Sequence, residues 1–136
     1  MCGCFNLRRA ARAVTRLYDS VLEPGGLRST GFVSLAFIRA EGTISLPSLA
    51  RALGVDRSTL TRNLRPLERQ GLVRVSRAVN ARMSSARVTA KGEQVLTRCV
   101  PMWKAAQARF EACVGAQRWA GVLAGLDTIA RAAPGA

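Results

Sequence analysis

The tightest constraint in this 136-residue chain is a run of helix starts and stops packed between Ser45 and Gly71. Ser45 offers a side-chain acceptor suited to an N-cap, and Pro47 follows in the first turn, where a missing N–H does no harm. Leu49, Ala50 and Leu53 then recur at helical spacing, and Gly54 closes the helix. Asp56 caps a second helix running to Gln70, and Gly71 closes it in turn. Leu72-Val73-Arg74-Val75 reads as a strand, residues 77–84 as a loop, and Ala86-Arg87-Val88 as a second strand. Two helices across a short turn, followed by a two-stranded hairpin, make the pattern of a winged helix-turn-helix.

The flanks add helices on both sides. Asn6 is a candidate N-cap for a first helix, with Leu7, Ala10, Val14, Leu17 and Val21 on one apolar stripe and Pro24-Gly25-Gly26 at its end. Ser29 is expected to cap a helix through Glu41, stopped by Gly42, with Thr43 to Leu46 as a short extended link. Thr89 caps a long helix that Pro101 is expected to kink and Gly115 to interrupt. A last helix carries Trp119, Val122, Leu123, Leu126 and Ile129. These outer helices are too apolar to lie against one small lobe alone, so a dimer interface is expected in preference to a single intramolecular core. The fold class expected is mainly α with a small β-hairpin wing. Residues 1–28 are an N-terminal arm and dimerisation helix, 29–89 the winged lobe, and 90–136 the C-terminal dimerisation helices.

Charge points to a partner. Lys and Arg number 21 against 8 Asp and Glu, giving a net charge of +13, and 19 of the 21 are Arg. A guanidinium presents a planar fork of donors matched to phosphates and base edges. At 100° per residue, Leu60, Leu64 and Leu67 lie within about 60° of arc on the helix opened by Asp56. Ser58, Thr61, Arg62, Arg65 and Arg69 occupy the opposite face. Between Arg51 and Arg87 there are nine arginines and only two acids, Asp56 and Glu68. A solvated face normally mixes signs, and this one does not. Histidine is absent, which removes the commonest general base and metal ligand and every Ser-His or Cys-His pair. The acids are too few and scattered for a carboxylate pair, so no enzyme is expected.

The run Leu49-Ala50-Arg51-Ala52-Leu53-Gly54-Val55-Asp56-Arg57-Ser58-Thr59-Leu60-Thr61-Arg62-Asn63-Leu64-Arg65-Pro66-Leu67-Glu68-Arg69-Gln70-Gly71-Leu72-Val73 resembles the MarR family of bacterial transcription regulators. The likeness includes Pro66, where local rules alone would end the helix at Arg65, and extends through the wing to Thr89-Ala90-Lys91-Gly92. It implies a dimer of winged lobes with interlocked terminal helices. Each lobe would place its recognition helix in a major groove and its wing in the adjacent minor groove of an inverted-repeat operator. Arg62 and Arg65 are then expected at base edges and flanking phosphates, supported by Arg57, Ser58, Thr59 and Thr61. Arg82 would enter the minor groove, with Arg77 on a phosphate. One departure stands out: the family's Asp-x-Arg near the wing tip is Asn80-Ala81-Arg82 here. The cation survives, but Asn80 cannot form the ion pair that would hold it.

The cysteines suggest a sensor. Cys2 and Cys4 form Cys-x-Cys at the N-terminus, and Cys99 and Cys113 lie 14 residues apart in the long helix, about 21 Å by helical rise. Cys99 and Cys113 suit core filling. Cys2 and Cys4, with Cys113 of the same or the partner chain, form a candidate site for a metalloid, a soft metal ion or disulfide oxidation. No cofactor is required and no firm metal site is expected.

The function expected is a dimeric, sequence-specific regulator of transcription on double-stranded DNA. It would be a repressor released by a ligand, a metalloid or thiol oxidation. The alternative is a basic RNA-binding or ribosome-associated module. RNA readers stack bases on exposed aromatics, and residues 38–102 contain none, which favours the duplex. A thiol enzyme lacks a base beside Cys2 or Cys4. With no apolar leader and no spanning run, a cytoplasmic protein without membrane contact is expected.

Overall fold

The computed structural model describes residues 1–132; the last four residues of the expected C-terminal segment 90–136 lie outside the described residues. Six helices and three short strands follow in the order α1 (Gly3–Leu22), α2 (Ser29–Glu41), β1 (Ile44–Ser45), α3 (Leu46–Leu53), α4 (Arg57–Arg69), β2 (Val73–Ser76), β3 (Ser85–Val88), α5 (Ala90–Val114) and α6 (Ala116–Ala132). Single 3-10 turns lie at Glu23–Gly25 and Ala81–Met83.

The expected local punctuation of the lobe is present. The Ser45 hydroxyl accepts from the Ser48 N–H, Asp56 from Thr59 and Thr89 from Gly92. Gly54 and Gly71 adopt left-handed φ values of 65° and 71° past the ends of α3 and α4, a conformation that costs glycine little. Pro66 stays inside α4. It is exposed, so the helix bond it deletes is lost on the water side, while buried Leu64 and Leu67 hold the helix to the core.

Three expectations are corrected. The first helix begins at Gly3 rather than after Asn6, and Cys2 takes the capping position without a side-chain bond. Asn6 instead donates through Nδ2 to the Cys2 carbonyl at 2.9 Å. Ser29 is the first residue of α2 rather than its cap. Its N–H and hydroxyl both donate to Asp19 Oδ1 at 2.7 Å, so α1 caps α2 across the fold. The link at Thr43 to Leu46 holds a third strand. The sheet order is β1-β3-β2, all antiparallel, with Ile44 opposite Ala86 and Val73 opposite Val88. The wing is therefore a three-stranded sheet rather than a simple hairpin.

One core joins these pieces. Leu35 and Ile38 of α2, Leu49 of α3, Leu60 and Leu64 of α4, and Leu96 of α5 are all buried within it. α5 runs unbroken through Pro101 from the wing to the far end of the molecule. α1 lies antiparallel along it. A Cβ on Gly25 would come within 2.5 Å of Cys99 Sγ. Arg98 donates to the Gly25 carbonyl at 3.0 Å. Further up, the Tyr18 hydroxyl donates to Gln107 Oε1, and the Tyr18 ring meets Phe110 edge-on at 6.5 Å. Phe110 in turn meets Trp119 of α6 at 4.9 Å. Above this ladder the helices are bare. No described residue of α6 is buried, and from Met1 to Ala13 every residue but Asn6 is exposed.

Candidate nucleic-acid interface

The buried stripe of α4 fixes what its other face can do. Leu60, Leu64 and Leu67 are 2–3% exposed, which turns Arg57, Ser58, Thr61, Arg62 and Arg65 together with Asp56 onto one open surface. Thr59 is half-buried and acts differently. Its N–H donates to Asp56 at 2.6 Å and its Oγ1 accepts from Arg62 Nη2 at 3.2 Å. Thr59 thus orients Arg62 rather than facing outward. The Ser58 hydroxyl donates to Asp56 Oδ1 at 2.9 Å and that of Thr61 to the Arg57 carbonyl at 3.0 Å. The Thr59 N–H above all, then the Ser58 and Thr59 hydroxyls, hold the Asp56 carboxyl below its usual range. The first turn of α4 is a fixed platform from which Arg62 and Arg65 project, both exposed.

The wing divides the two arginines assigned to it. Arg82 lies beside Arg57 over a small apolar cleft formed by Leu46, Pro47 and Ala50. The tip turn is closed by Asn80, whose Oδ1 accepts from the Arg82 N–H at 3.0 Å and whose carbonyl accepts from Met83 N at 2.9 Å. The neutral side chain thus shapes the backbone in place of an ion pair. Arg77 is not free for a phosphate as expected. Its guanidinium makes two bonds to the Glu68 carboxylate, at 2.9 and 2.8 Å. This bidentate fork ties the base of the wing to α4. Spacing alone did not pair residues nine positions apart. The signal that could have found the pair is that Glu68 is the only acid of α4 (Arg57–Arg69).

The thiols are also divided. Cys99 is fully buried and Cys113 is exposed. Burial pushes the Cys99 thiol up, with Arg98 partly opposing, so it is a core side chain and a poor nucleophile. Cys2 and Cys4 are exposed, and Cys4 belongs to the first turn of α1 instead of a loose arm. Cys4 is 14 residues before Tyr18 and Cys113 three beyond Phe110. With Tyr18 against Phe110, the two thiols stand about 16 Å apart along the antiparallel helices of one chain. A site joining Cys2, Cys4 and Cys113 of the same chain is therefore corrected. Among the described residues no group of three or more Cys, Asp or Glu side chains converges as a metal site, and no helix is long and apolar enough to cross a membrane.

A recognition helix with a basic outer face, crossed by a short helix and flanked by an arginine-tipped wing, defines a winged helix-turn-helix. The MarR family profile matches residues 27–82. The structure of the M. tuberculosis transcriptional regulator MosR in complex with DNA is 42% identical over 98% of this chain and 96% of that one, with a TM-score of 0.85. The transcriptional repressor CouR bound to a 23-mer DNA duplex is 25% identical over 95% and 92%, with a TM-score of 0.80. A mutant MarR from E. coli complexed with operator DNA shares the fold at 22% identity over 90% and 89%, with a TM-score of 0.78. No curated protein matches. The chain belongs to the MarR family of transcriptional regulators, which are not enzymes.

The wing gives a direct test. Arg82→Ala is expected to weaken DNA binding and to flatten the slope of log affinity against log salt by about 0.9, one phosphate's worth. An unchanged slope with unchanged affinity would remove Arg82 from the interface.

Proposed function

We propose that this protein is a homodimeric repressor that binds an inverted-repeat operator and is released by chemistry at Cys2 and Cys4. The observation that carries the DNA reading is the outer face of α4. Arg57, Arg62 and Arg65 share it with a single carboxylate that is engaged by the helix's own N-cap. The DNA-bound structures of MosR and CouR support it. Arg62 and Arg65 read base edges and flanking phosphates, Arg57, Ser58 and Thr61 hold phosphates, Thr59 orients Arg62, and Arg82 enters the minor groove. Residues 29–89 form the lobe, and 1–28 with 90–136 the dimer.

Release follows from where the thiols sit. Cys2 is the extended capping residue and Cys4 lies in the first turn of α1. A Cys2–Cys4 disulfide would close a small ring over this helix start and loosen its first turn. Gly3 between them has open space around it and tolerates the change. A hydroperoxide supplies the oxidant: two thiols lose two protons and two electrons, one S–S bond forms, and the O–O bond is cleaved to water and an alcohol. A trivalent metalloid held by the same two thiols would act on the same turn. The loosened turn belongs to the helix that sets the spacing of the lobes, and both half-sites must be matched at once. A full switch requires the oxidised form to favour release by about 5.5 kcal/mol, a factor near 10⁴.

A second reading is favoured by a cleft of about 490 Å³ between the α1–α2 corner and α4. It is lined by Arg28 and Arg62 with Leu27, Pro66 and Leu67, and by one acid, Glu23; two cations against one carboxylate suit a small organic anion that would compete for Arg62.

The test is a gel shift on the protein's own upstream DNA. Wild type and the Cys2→Ser/Cys4→Ser double variant are compared reduced, with peroxide, with trivalent arsenic and with small aromatic acids. Wild type is expected to lose affinity with peroxide or arsenic while the variant does not. Equal responses would sink the thiol mechanism and leave the cleft as the sensor. Tighter binding to double-stranded RNA at matched salt would sink the DNA reading.

A further inference from the structure

Four arginines on α1 take no part in the interface described above. Arg8, Arg9, Arg12 and Arg16 fall within about 100° of arc, opposite Leu7, Val14, Leu17 and Val21. All four are exposed, and the ion pairs among the described residues lie elsewhere, at Arg77–Glu68 and Arg131–Asp127. The single acid of α1, Asp19, accepts from Ser29. Arg8 with Arg12, and Arg12 with Arg16, are like charges one turn apart, an arrangement that weakens a helix. Helix stability therefore does not explain the ridge. Its position is remote from α4: Arg16 to Arg8 extend about 9 to 21 Å beyond Leu22, away from the lobe.

A second copy of the chain, itself carrying a net charge of +13, leaves this ridge positive. The chain has eight acids. Asp19, Asp56, Glu68 and Asp127 bind Ser29, Thr59, Arg77 and Arg131, and Glu111 accepts from Gln107. Glu23, Glu41 and Glu93 remain, at the foot of α1, the end of α2 and the first turn of α5. All three belong to the lobe end. With 21 basic residues against 8 acids in each chain, the ridge keeps an excess of positive charge that suits an external polyanion. Guanidinium forks match phosphate oxygens, and Arg8, Arg12 and Arg16 form a row of cations about 6 Å apart. That row spans the phosphates of a few nucleotides, which rise about 3.4 Å per step along one strand. A lipid surface fits less well, because the apolar stripe it would need is the one expected to be covered by a partner's α6, and its lower part, Val14, Leu17 and Val21, is already half-buried.

From the arginine ridge of α1 we infer that the protein carries a second, sequence-independent phosphate surface, which grips a second DNA duplex while α4 occupies the operator. This rests on the DNA-binding reading of α4. A dimer on its operator then bridges two duplexes.

The experiment immobilises operator duplex, saturates it with full-length protein, and adds a labelled duplex of about 30 bp lacking the operator. Wild type is expected to retain the label, with a slope of log capture against log salt of about −3.6 for four phosphates. The Arg8→Gln/Arg9→Gln/Arg12→Gln/Arg16→Gln variant is expected to keep its dimer mass and operator affinity and to lose capture at least tenfold. The corresponding Lys variant is expected to retain it. Operator binding without capture, capture that survives the Gln substitutions, or preference for phosphatidylserine vesicles over duplex would each overturn the inference. Failure of the first step, operator binding itself, would instead overturn the reading of α4.

Discussion

A chain carrying Leu126→Asp and Ile129→Asp is expected to lose both its dimer and about a thousandfold or more of its operator affinity. Within one protomer, α6 has no buried described residue, and Val122, Leu123, Leu126 and Ile129 are 38–48% exposed. A helix of this length is marginal in water unless an apolar face is covered. The first half of α1 is in the same position, with Phe5 at 58% and Leu7 at 39% exposure. α1 contacts α5 within its own chain through Tyr18, so its bare upper half is available to Trp119, Val122, Leu126 and Ile129 of a partner. Fully burying one such side chain contributes about 1.5–3 kcal/mol, and a two-fold axis repeats each contact. A charge at two central positions reverses that gain. A monomer then reads one half-site, and specific binding exceeds non-specific binding by roughly 10³ to 10⁷. Sedimentation at micromolar concentration reports the mass and fluorescence anisotropy the affinity. An unaltered chain that sedimented as a soluble monomer would contradict the dimer; so would a removal of residues 116–136 that left operator affinity intact.

The lobe was legible in the sequence because local and tertiary forces agree there. Ser45, Asp56 and Thr89 cap the helices they precede, and the Leu60, Leu64 and Leu67 stripe is both periodic and buried. Where the two diverge, the sequence misleads. Asp19 caps α2 from another helix, and no short-range pattern announces a partner ten residues away. A two-residue strand such as Ile44–Ser45 exists only because β3 offers it an edge. Pro66 violates a helix rule that the buried leucines on either side override. Arg62 and Arg65 were visible as a charged face. Arg77 reads as one of them in the sequence, where a charge looks available until its partner is placed, and Glu68 is that partner.

The junction between wing and dimer rod is where a single methyl group is expected to do most harm to the fold. A Cβ on Gly92 would lie 2.0 Å from the Leu72 carbonyl oxygen and 2.7 Å from Val88 Cγ1. The oxygen is backbone and already held: Leu72 O accepts from Thr89 N at 3.0 Å. Around it, the Thr89 hydroxyl donates to the Gly71 carbonyl at 2.6 Å and Lys91 Nζ to the Gln70 carbonyl at 2.8 Å. These bonds clamp the start of α5 to the exit of α4, so neither side can yield without breaking them. Two effects of Gly92→Ala oppose each other. Helix propensity favours alanine by about 0.8–1 kcal/mol. Overpacking against fixed backbone costs about 1–3 kcal/mol, and more where nothing can move. The second wins, so the variant is expected to melt several degrees lower than wild type and to bind operator more weakly, since α5 carries the lobe on the dimer. Thermal unfolding followed by circular dichroism measures the first effect directly. A melting temperature equal to or above that of wild type would mean that α5 does not approach Leu72 this closely.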